Sequence, residues 1–402
     1  MPTIKRANGA GSVYRTAAGQ WVAAVTLPPA GDGRQRRATA KRRTKAQAMA
    51  ALRTLIDGPA KTGKPRAAPT VAQWIDTHLG RQADRLKPHT HEGQRSLARA
   101  WIVPVLGRVR LDQLTGDHVR ALHRAAIDAG HATTAKRAHA LLSAALQAAV
   151  RDGLLDRNMA QTVGPPAGRS ETRPALTADQ AKRLLASVAG DPARSATIAT
   201  ALLTGLRQGE RLGLESDALD LDRGVLTVSW AAQEVAWAHG CDGDGCGQSR
   251  GASCPQRVTP VPASLEARHV DGALWLLRPK SRAGWRQVPV CGPLADRLAA
   301  WLAVRPGAPH GLVFTDPAGR PVTRRADSAA WRTDLQAAGL PPVPLHSARH
   351  TTATLLFELG VPPETRQAIL GHSAATTTAG YTHVAPPMAA DAMSQLGGLL
   401  LG

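Results

Sequence analysis

Phenolic and benzylic side chains are scarce in this chain, which holds two tyrosines and two phenylalanines in 402 residues. A ring hydroxyl is therefore a rare resource, and one of the two, Tyr381, lies nine residues after His372 in a histidine-rich stretch. Cysteine is equally sparse. Of the four present, Cys241, Cys246 and Cys254 fall within fourteen residues, which argues against the distributed disulfide framework of a small secreted protein. No apolar run reaches the roughly 18 residues that span a bilayer, and the N-terminus carries no apolar signal segment. A soluble intracellular chain without a membrane partner is expected. A Walker-type Gly-rich loop is also missing, which argues against a nucleotide-driven motor. Acidic residues are few, 30 against 50 Lys and Arg, leaving a net charge of +20. That balance points to a polyanionic partner.

The positive excess is uneven. Residues 1–66 hold 14 Lys/Arg against two acids, Asp32 and Asp57, or about +12 of the +20. At this length one core is too few, and two or three domains are expected. Short strand-like runs at 11–15, 21–27 and 34–40 precede a helix capped by Thr44 and running to about Ile56. The strands bring Arg34, Arg36, Arg37, Lys41, Arg42 and Arg43, which could form a basic face for a DNA groove or a solvated basic tail. A Pro/Gly/Lys linker at 58–69 follows.

Residues 70–163 read as all helix, with Pro104 ending one that begins at Ser96 and the longest running over 133–152. After a second linker at 164–168, the pattern becomes mixed. Helices are expected at 178–188 and 196–203, strands at 225–230, 274–277 and 287–290, and helices again at 297–304, 328–338, the His346 run and the Tyr381 run. The last two strands, joined by a Ser/Gly turn, read as a hairpin with Lys280 at its tip. A short apolar helix over 388–400 closes the chain.

Three segments of the mixed region carry chemistry. Thr204-Gly-Leu-Arg207-Gln-Gly-Glu210 places a guanidinium after a turn residue, with a carboxylate one turn on that could hold it. A surface ion pair would have the same spacing. His346, Arg349 and His350 share one helical face. The i, i+4 histidines could be metal ligands, but Ser347 stands where a zinc-protease motif has glutamate. Arg349 with His346 makes a second phosphate clamp. His239, Cys241, Cys246 and Cys254, between what read as the first two strands, could hold a tetrahedral structural zinc or be spare side chains of a loop.

Taken in order, T-G-L-R-x-G-E-x-x-x-L, P-K-S-x-x-G-x-R-x-V-P-V, H-S-A-R-H-T-x-A-T-x-L, L-G-H-S and Y-T-H-V resemble the tyrosine recombinase, or phage integrase, family. The resemblance implies an α+β multidomain fold. A small N-terminal β-sheet plus helix would bind arm-type DNA over 1–60, an all-α core-binding domain would span 69–164, and a mixed α/β catalytic domain would occupy 174–402. It also implies catalytic roles for Arg207, Lys280, His346, Arg349, His372 and the nucleophile Tyr381, with Glu210 orienting. No cofactor would be required for catalysis. Double-stranded DNA would be the substrate, a homotetramer the active assembly, and an excision factor and a host DNA-bending protein the accessory partners, in the cytoplasm at the nucleoid. The tail helix could pack on its own domain, the simpler arrangement, but the resemblance implies that it docks on a neighbouring subunit, and the Cys-rich insertion resembles one in integrases of actinobacterial mobile elements. The sequence departs from the family at Leu214-Glu-Ser-Asp217, which lacks a usual aromatic, and at Ser347-Ala348, which stand where Asp-Leu is common. A same-fold resolvase, a type IB topoisomerase and a non-catalytic DNA-binding regulator stay open as alternatives.

Overall fold

The computed structural model describes residues 11–27, 36–57, 68–167, 174–241, 243–278, 285–371 and 386–402. They fall into two compact units, residues 1–70 with 110–112, and residues 71–109 with 113–402.

In the first unit, β1 (Ser12–Arg15), β2 (Trp21–Leu27) and β3 (Arg36–Arg42) form an antiparallel sheet in sequence order. Residues 34 and 35 of the expected third strand lie outside the described residues, and the strand runs on to Arg42. α1 (Lys45–Asp57) follows, and the Thr44 hydroxyl accepts the Gln47 N–H at 3.3 Å, as its N-terminal position favours. Val22 to Val25 and Ala48 are buried together, so the apolar strand and the alanine face of α1 make the core. Strand alternation puts Arg37 and Lys41 on one face of β3 and Arg42 on the other. The six basic residues therefore do not form a single face, and Arg43 lies beyond the strand. Arg34 lies outside the described residues.

The second unit begins with α2 (Val71–Gly80), α3 (Pro88–Leu97), a wide π-turn over Ala98–Ile102, and α4 (Val103–Leu106). Pro104 thus does not end the helix. It lacks an N–H and crowds the carbonyl four residues back, and the wider turn before it accommodates both effects. α5 (Gly116–Asp128), α6 (Ala132–Arg151) and α7 (Met159–Val163) complete this part. The indole of Trp74 donates to Ala145 O at 2.7 Å. Between α5 and α6, His123 Nε2 meets His139 Nδ1 at 3.0 Å, both rings buried, and burial holds both below the ordinary histidine value.

The mixed part starts with α8 (Ala178–Ser187), α9 (Pro192–Thr204) and α10 (Gln208–Leu212). A reciprocal Thr177–Gln180 cap opens α8, and Asp191 before Pro192 opens α9. β4 (Leu219–Asp220), β5 (Val225–Val228), β6 (Ala231–Glu234), β7 (Ala267–Asp271), β8 (Leu274–Leu277) and β9 (Arg286–Pro289) form two three-stranded sheets, ordered β4-β5-β9 and β6-β8-β7. β8 and β9 are therefore not a hairpin. They belong to different sheets, with β9 paired to β5, and Lys280, between them, lies outside the described residues. The expected strand over 225–230 ends at Val228 as β5, a separate β6 begins at Ala231, and the Cys-rich insertion lies between β6 and β7.

α11 (Gly292–Val304), α12 (Arg324–Ala337), α13 (His346–Glu358), α14 (Pro363–Leu370) and α15 (Pro386–Leu401) follow. One core joins Leu184, Leu202, Leu226, Val288, Leu298, Trp331 and Leu356. Ala389, Ala392, Met393, Leu396 and Leu400 of α15 are part of it. The tail helix thus packs on its own domain, where the family pattern implied a neighbouring subunit. Its apolar face completes a core already present in the same chain, and Gly397 allows the approach, since a Cβ there would stand 2.7 Å from Cys291 Sγ. The helical and mixed parts touch where Lys87 Nζ donates to Arg278 O at 2.6 Å and Ser264 Oγ donates to Asp84 O at 2.9 Å.

Candidate active site and metal centre

The site is built at the end of α9. Gly205 is left-handed (φ 60°) and reverses the chain, so that Arg207 enters α10 from an extended conformation. Glu210 closes this turn: its Oε2 accepts the Arg207 N–H at 3.0 Å and its Oε1 pairs with Arg207 Nη1 at 2.6 Å. Arg207 Nη2 donates to Gly371 O at 3.1 Å, at the end of α14. The i, i+3 pair is therefore no surface bridge, because Glu210 is 5% exposed while the Arg207 side chain is 44% exposed.

α10 is held from behind. Arg211 and Asp327 form a fully buried ion pair at 2.6 Å, and Gln208 Nε2 donates to the same carboxylate at 2.8 Å. α13 is tied to α9 by Thr352 Oγ1, which donates to Leu202 O at 2.7 Å. Arg349, one turn into α13, thereby reaches under the Gly205 turn and donates from Nη1 to Gly205 O at 2.7 Å. Its Nη2 is buried with no hydrogen-bond partner among the described residues. Burial, and then the charge of Arg207, bring the Arg349 guanidinium down to about 10, with Glu210 opposing and Arg286 adding to the fall. It stays cationic at neutral pH.

The sequence reading assigned no role to Arg286. Its Nη2 meets Glu210 Oε2 at 2.9 Å, its Nε donates to Ile369 O at 2.8 Å, and its side chain is 6% exposed. Burial alone would raise the Glu210 carboxyl, but Arg286, then Arg207, hold it below its ordinary range. The signal was present as the arginine of the R-x-V-P-V run, but nothing local to that run names its partner.

Arg207, Glu210 and Arg349 thus come together. His346 opens α13, and its ring stands edge-on to that of His350 with centroids 4.9 Å apart. Lys280, His372 and Tyr381 lie outside the described residues. On either side of the Lys280 segment, the Arg278 guanidinium stacks between Trp230 and Trp285, 3.8 and 4.2 Å from their ring centroids.

A second cluster lies in the insertion between β6 and β7. The donor atoms of His239, Cys241, Cys246 and Cys254 all lie within 4.8 Å of one another. His239 Nδ1 is 3.3 Å from Cys246 Sγ and 3.8 Å from Cys241 Sγ, and Cys254 Sγ is 3.7 Å from Cys241 Sγ. A tetrahedral zinc with Zn–S bonds of about 2.3 Å places its sulfurs about 3.8 Å apart, so the spacing fits a metal and is far too long for a disulfide. Reciprocal backbone bonds between Ala238 and Val258 close the base of the loop. The Cys254 thiol, opposed by burial but favoured by the Gln256 N–H, falls to about 6, whereas its hydrogen bond to Cys246 pushes Cys241 up to about 11.

Comparison with known proteins gives a consistent picture. The phage integrase family model matches residues 263–387, and the phage integrase central-domain model matches 69–164. An integrase of Saccharopolyspora erythraea is 27% identical, aligned over 97% of this chain and 96% of its own. A tyrosine recombinase XerC of Mycobacterium bovis is 30% identical over 68% of this chain and 80% of its own. Among solved structures, the Tn1549 transposon integrase in complex with transposon right end DNA superposes with a TM-score of 0.62 at 20% identity, over 83% of this chain and 95% of that one. A lambda integrase tetramer bound to a Holliday junction gives 0.53 at 19%, over 93% and 98%. At these identities the structures establish the shared fold.

Proposed function

Because the chain belongs to the phage integrase family of tyrosine recombinases, we propose that Tyr381 is its nucleophile and that Arg207 and Arg349 hold the phosphate it attacks. The protein is a site-specific recombinase that cuts and rejoins DNA, and tyrosine recombinases need no cofactor for this. One observation carries the assignment of the site. Arg207, at the start of α10, is held by the buried Glu210 carboxylate, and Arg349 of α13 is held under the same turn by Gly205 O, where one of its buried N–H groups lacks a partner among the described residues. Such a pocket suits the non-bridging oxygens of a phosphodiester.

In this reading the Tyr381 hydroxyl loses its proton as its oxygen bonds to phosphorus, and the bond from phosphorus to the 5′-oxygen breaks. A 3′-phosphotyrosyl link forms, and Lys280 protonates the departing 5′-oxygen, leaving a free 5′-hydroxyl. Arg207 and Arg349 neutralise the charge of the phosphorane, and His346 and His372 add hydrogen bonds. Glu210 orients Arg207. The step reverses on a partner strand, and the phosphotyrosine conserves the bond energy.

The natural substrate would be the attachment sites of a phage or other integrative element. The core sites would be gripped by residues 69–164 and 174–402, and arm-type sites by residues 1–60, where Arg37 and Lys41 share one face of β3 that would meet phosphate. Two duplexes would be synapsed by a homotetramer at the nucleoid of the cytoplasm, with an excision factor and a DNA-bending protein setting direction. The lambda integrase tetramer on a junction supports that assembly. Alignment with the Saccharopolyspora integrase over 97% of the chain, against 68% for XerC, favours an integrase over a resolvase. His239, Cys241, Cys246 and Cys254 would hold a structural zinc, which would clamp the insertion and take no part in transfer.

A nicked suicide substrate tests the nucleophile. Wild-type protein should trap a covalent adduct and Tyr381→Phe none, with site binding retained. Adduct formation by the Phe variant would overturn the assignment, and no adduct with either protein would favour the non-catalytic regulator.

A further inference from the structure

Arg286 is the buried cation of this pocket that the reaction, as so far described, leaves without a role. Its backbone lies in β9, where pairing with Val228 fixes its position, and its guanidinium crosses to the start of α10. There Glu210 is divided. One carboxylate oxygen faces Arg207 Nη1 at 2.6 Å and the other faces Arg286 Nη2 at 2.9 Å. Arg349 lies close enough to both guanidiniums for their charges to disfavour its own.

Among the described residues, three positive charges thus surround one negative charge, an excess of two. Arg286 Nη1 and Arg349 Nη2 are both buried without partners among the described residues. Unpaired buried donors and uncompensated buried charge are costly, and a site that keeps them is arranged for an anion. The alternative arrangement is easy to state. With Arg286 gone, Glu210 Oε2 would keep only the Arg207 N–H, the carboxylate would face no other guanidinium it bonds, and the most exposed arginine of the pocket would be neutralised by its own neighbour.

We propose that Arg286 is a positioning residue of the phosphate pocket: by holding one oxygen of Glu210, it keeps that carboxylate from cancelling Arg207, so that the charge of Arg207 stays available to the scissile phosphate. This rests on the reading of Arg207 and Arg349 as the phosphate clamp. Arg286 acts through Glu210 and need not touch the DNA.

The test compares full-length wild type, Arg286→Gln, Arg286→Lys and Arg349→Ala on two suicide substrates, one with an ordinary scissile phosphodiester and one with an uncharged methylphosphonate there. On the phosphodiester, Arg286→Gln should slow the single-turnover rate of adduct formation by about ten- to a hundredfold, with a much smaller change in site affinity. On the methylphosphonate, which has less charge to neutralise, most of that deficit should vanish. Arg286→Lys, which keeps the charge beside Glu210, should recover part of the rate, and it carries the comparison if Arg286→Gln does not fold. An equal deficit on both substrates would overturn the proposal and leave Arg286 a packing residue. Arg349→Ala separates the two levels. If its own deficit is not relieved by the methylphosphonate, the phosphate-clamp reading falls, and if only Arg349→Ala is relieved, the role of Arg286 alone falls.

Discussion

Guanidinium groups make the pocket, and one glycine makes it geometrically available. Gly205 has φ 60°, and a Cβ there would stand 2.5 Å from Leu370 Cδ2 and 3.2 Å from Thr352. Its carbonyl also accepts from Arg349. Gly205→Ala should therefore cost about 1–2 kcal/mol from the left-handed backbone and more from the contact with Leu370, lowering the thermal midpoint and the adduct rate together. An unchanged midpoint would show that the turn relaxes freely. At this scale the sequence was informative where residues are close in the chain. Arg207 and Glu210 are three apart, and their motif anticipated the pair. Arg286 stood in a quoted motif but meets Glu210 across 76 residues, and no spacing rule reaches that far.

Among the elements, the insertion between β6 and β7 and the segment between β8 and β9 were read with different success. Ligand types and short spacings grouped His239, Cys241, Cys246 and Cys254 in the sequence, and the structure brings their donor atoms within 4.8 Å of one another. Protein purified without chelator should carry about one zinc per chain, Cys246→Ser should lose it, and chelation should open residues 236–258 to protease while the core holds. Absence of zinc from the wild-type protein would remove the metal and leave a loop of free thiols. The hairpin reading of β8 and β9 failed for a physical reason. Composition marks a strand but not its partner, and β9 found β5, some sixty residues earlier. Pro104 misled in the same way, since a helix bound by tertiary contacts absorbs a proline through a wider turn.

For the molecule as a whole, the tail shows what a lone chain does with an apolar helix. Met393 and Leu396 are fully buried in a core that also holds Leu184, Leu298 and Leu356. Met393→Ala should lower the folding stability by about 2–5 kcal/mol, read as a shift of the urea midpoint of the isolated protein. A midpoint that does not move, with synapsis impaired, would return the helix to a neighbouring subunit. The amphipathic pattern had shown that residues 388–400 bury a face, but a pattern cannot say in whose core. What the sequence by itself determined was the chemistry and the family, because residue types and their order along the chain survive any arrangement in space. Only the tertiary structure decided which carboxylate oxygen serves which arginine, which sheet takes β9 and where the tail lies. Those choices depend on contacts between distant segments, whose free energy belongs to the folded core and not to any local stretch.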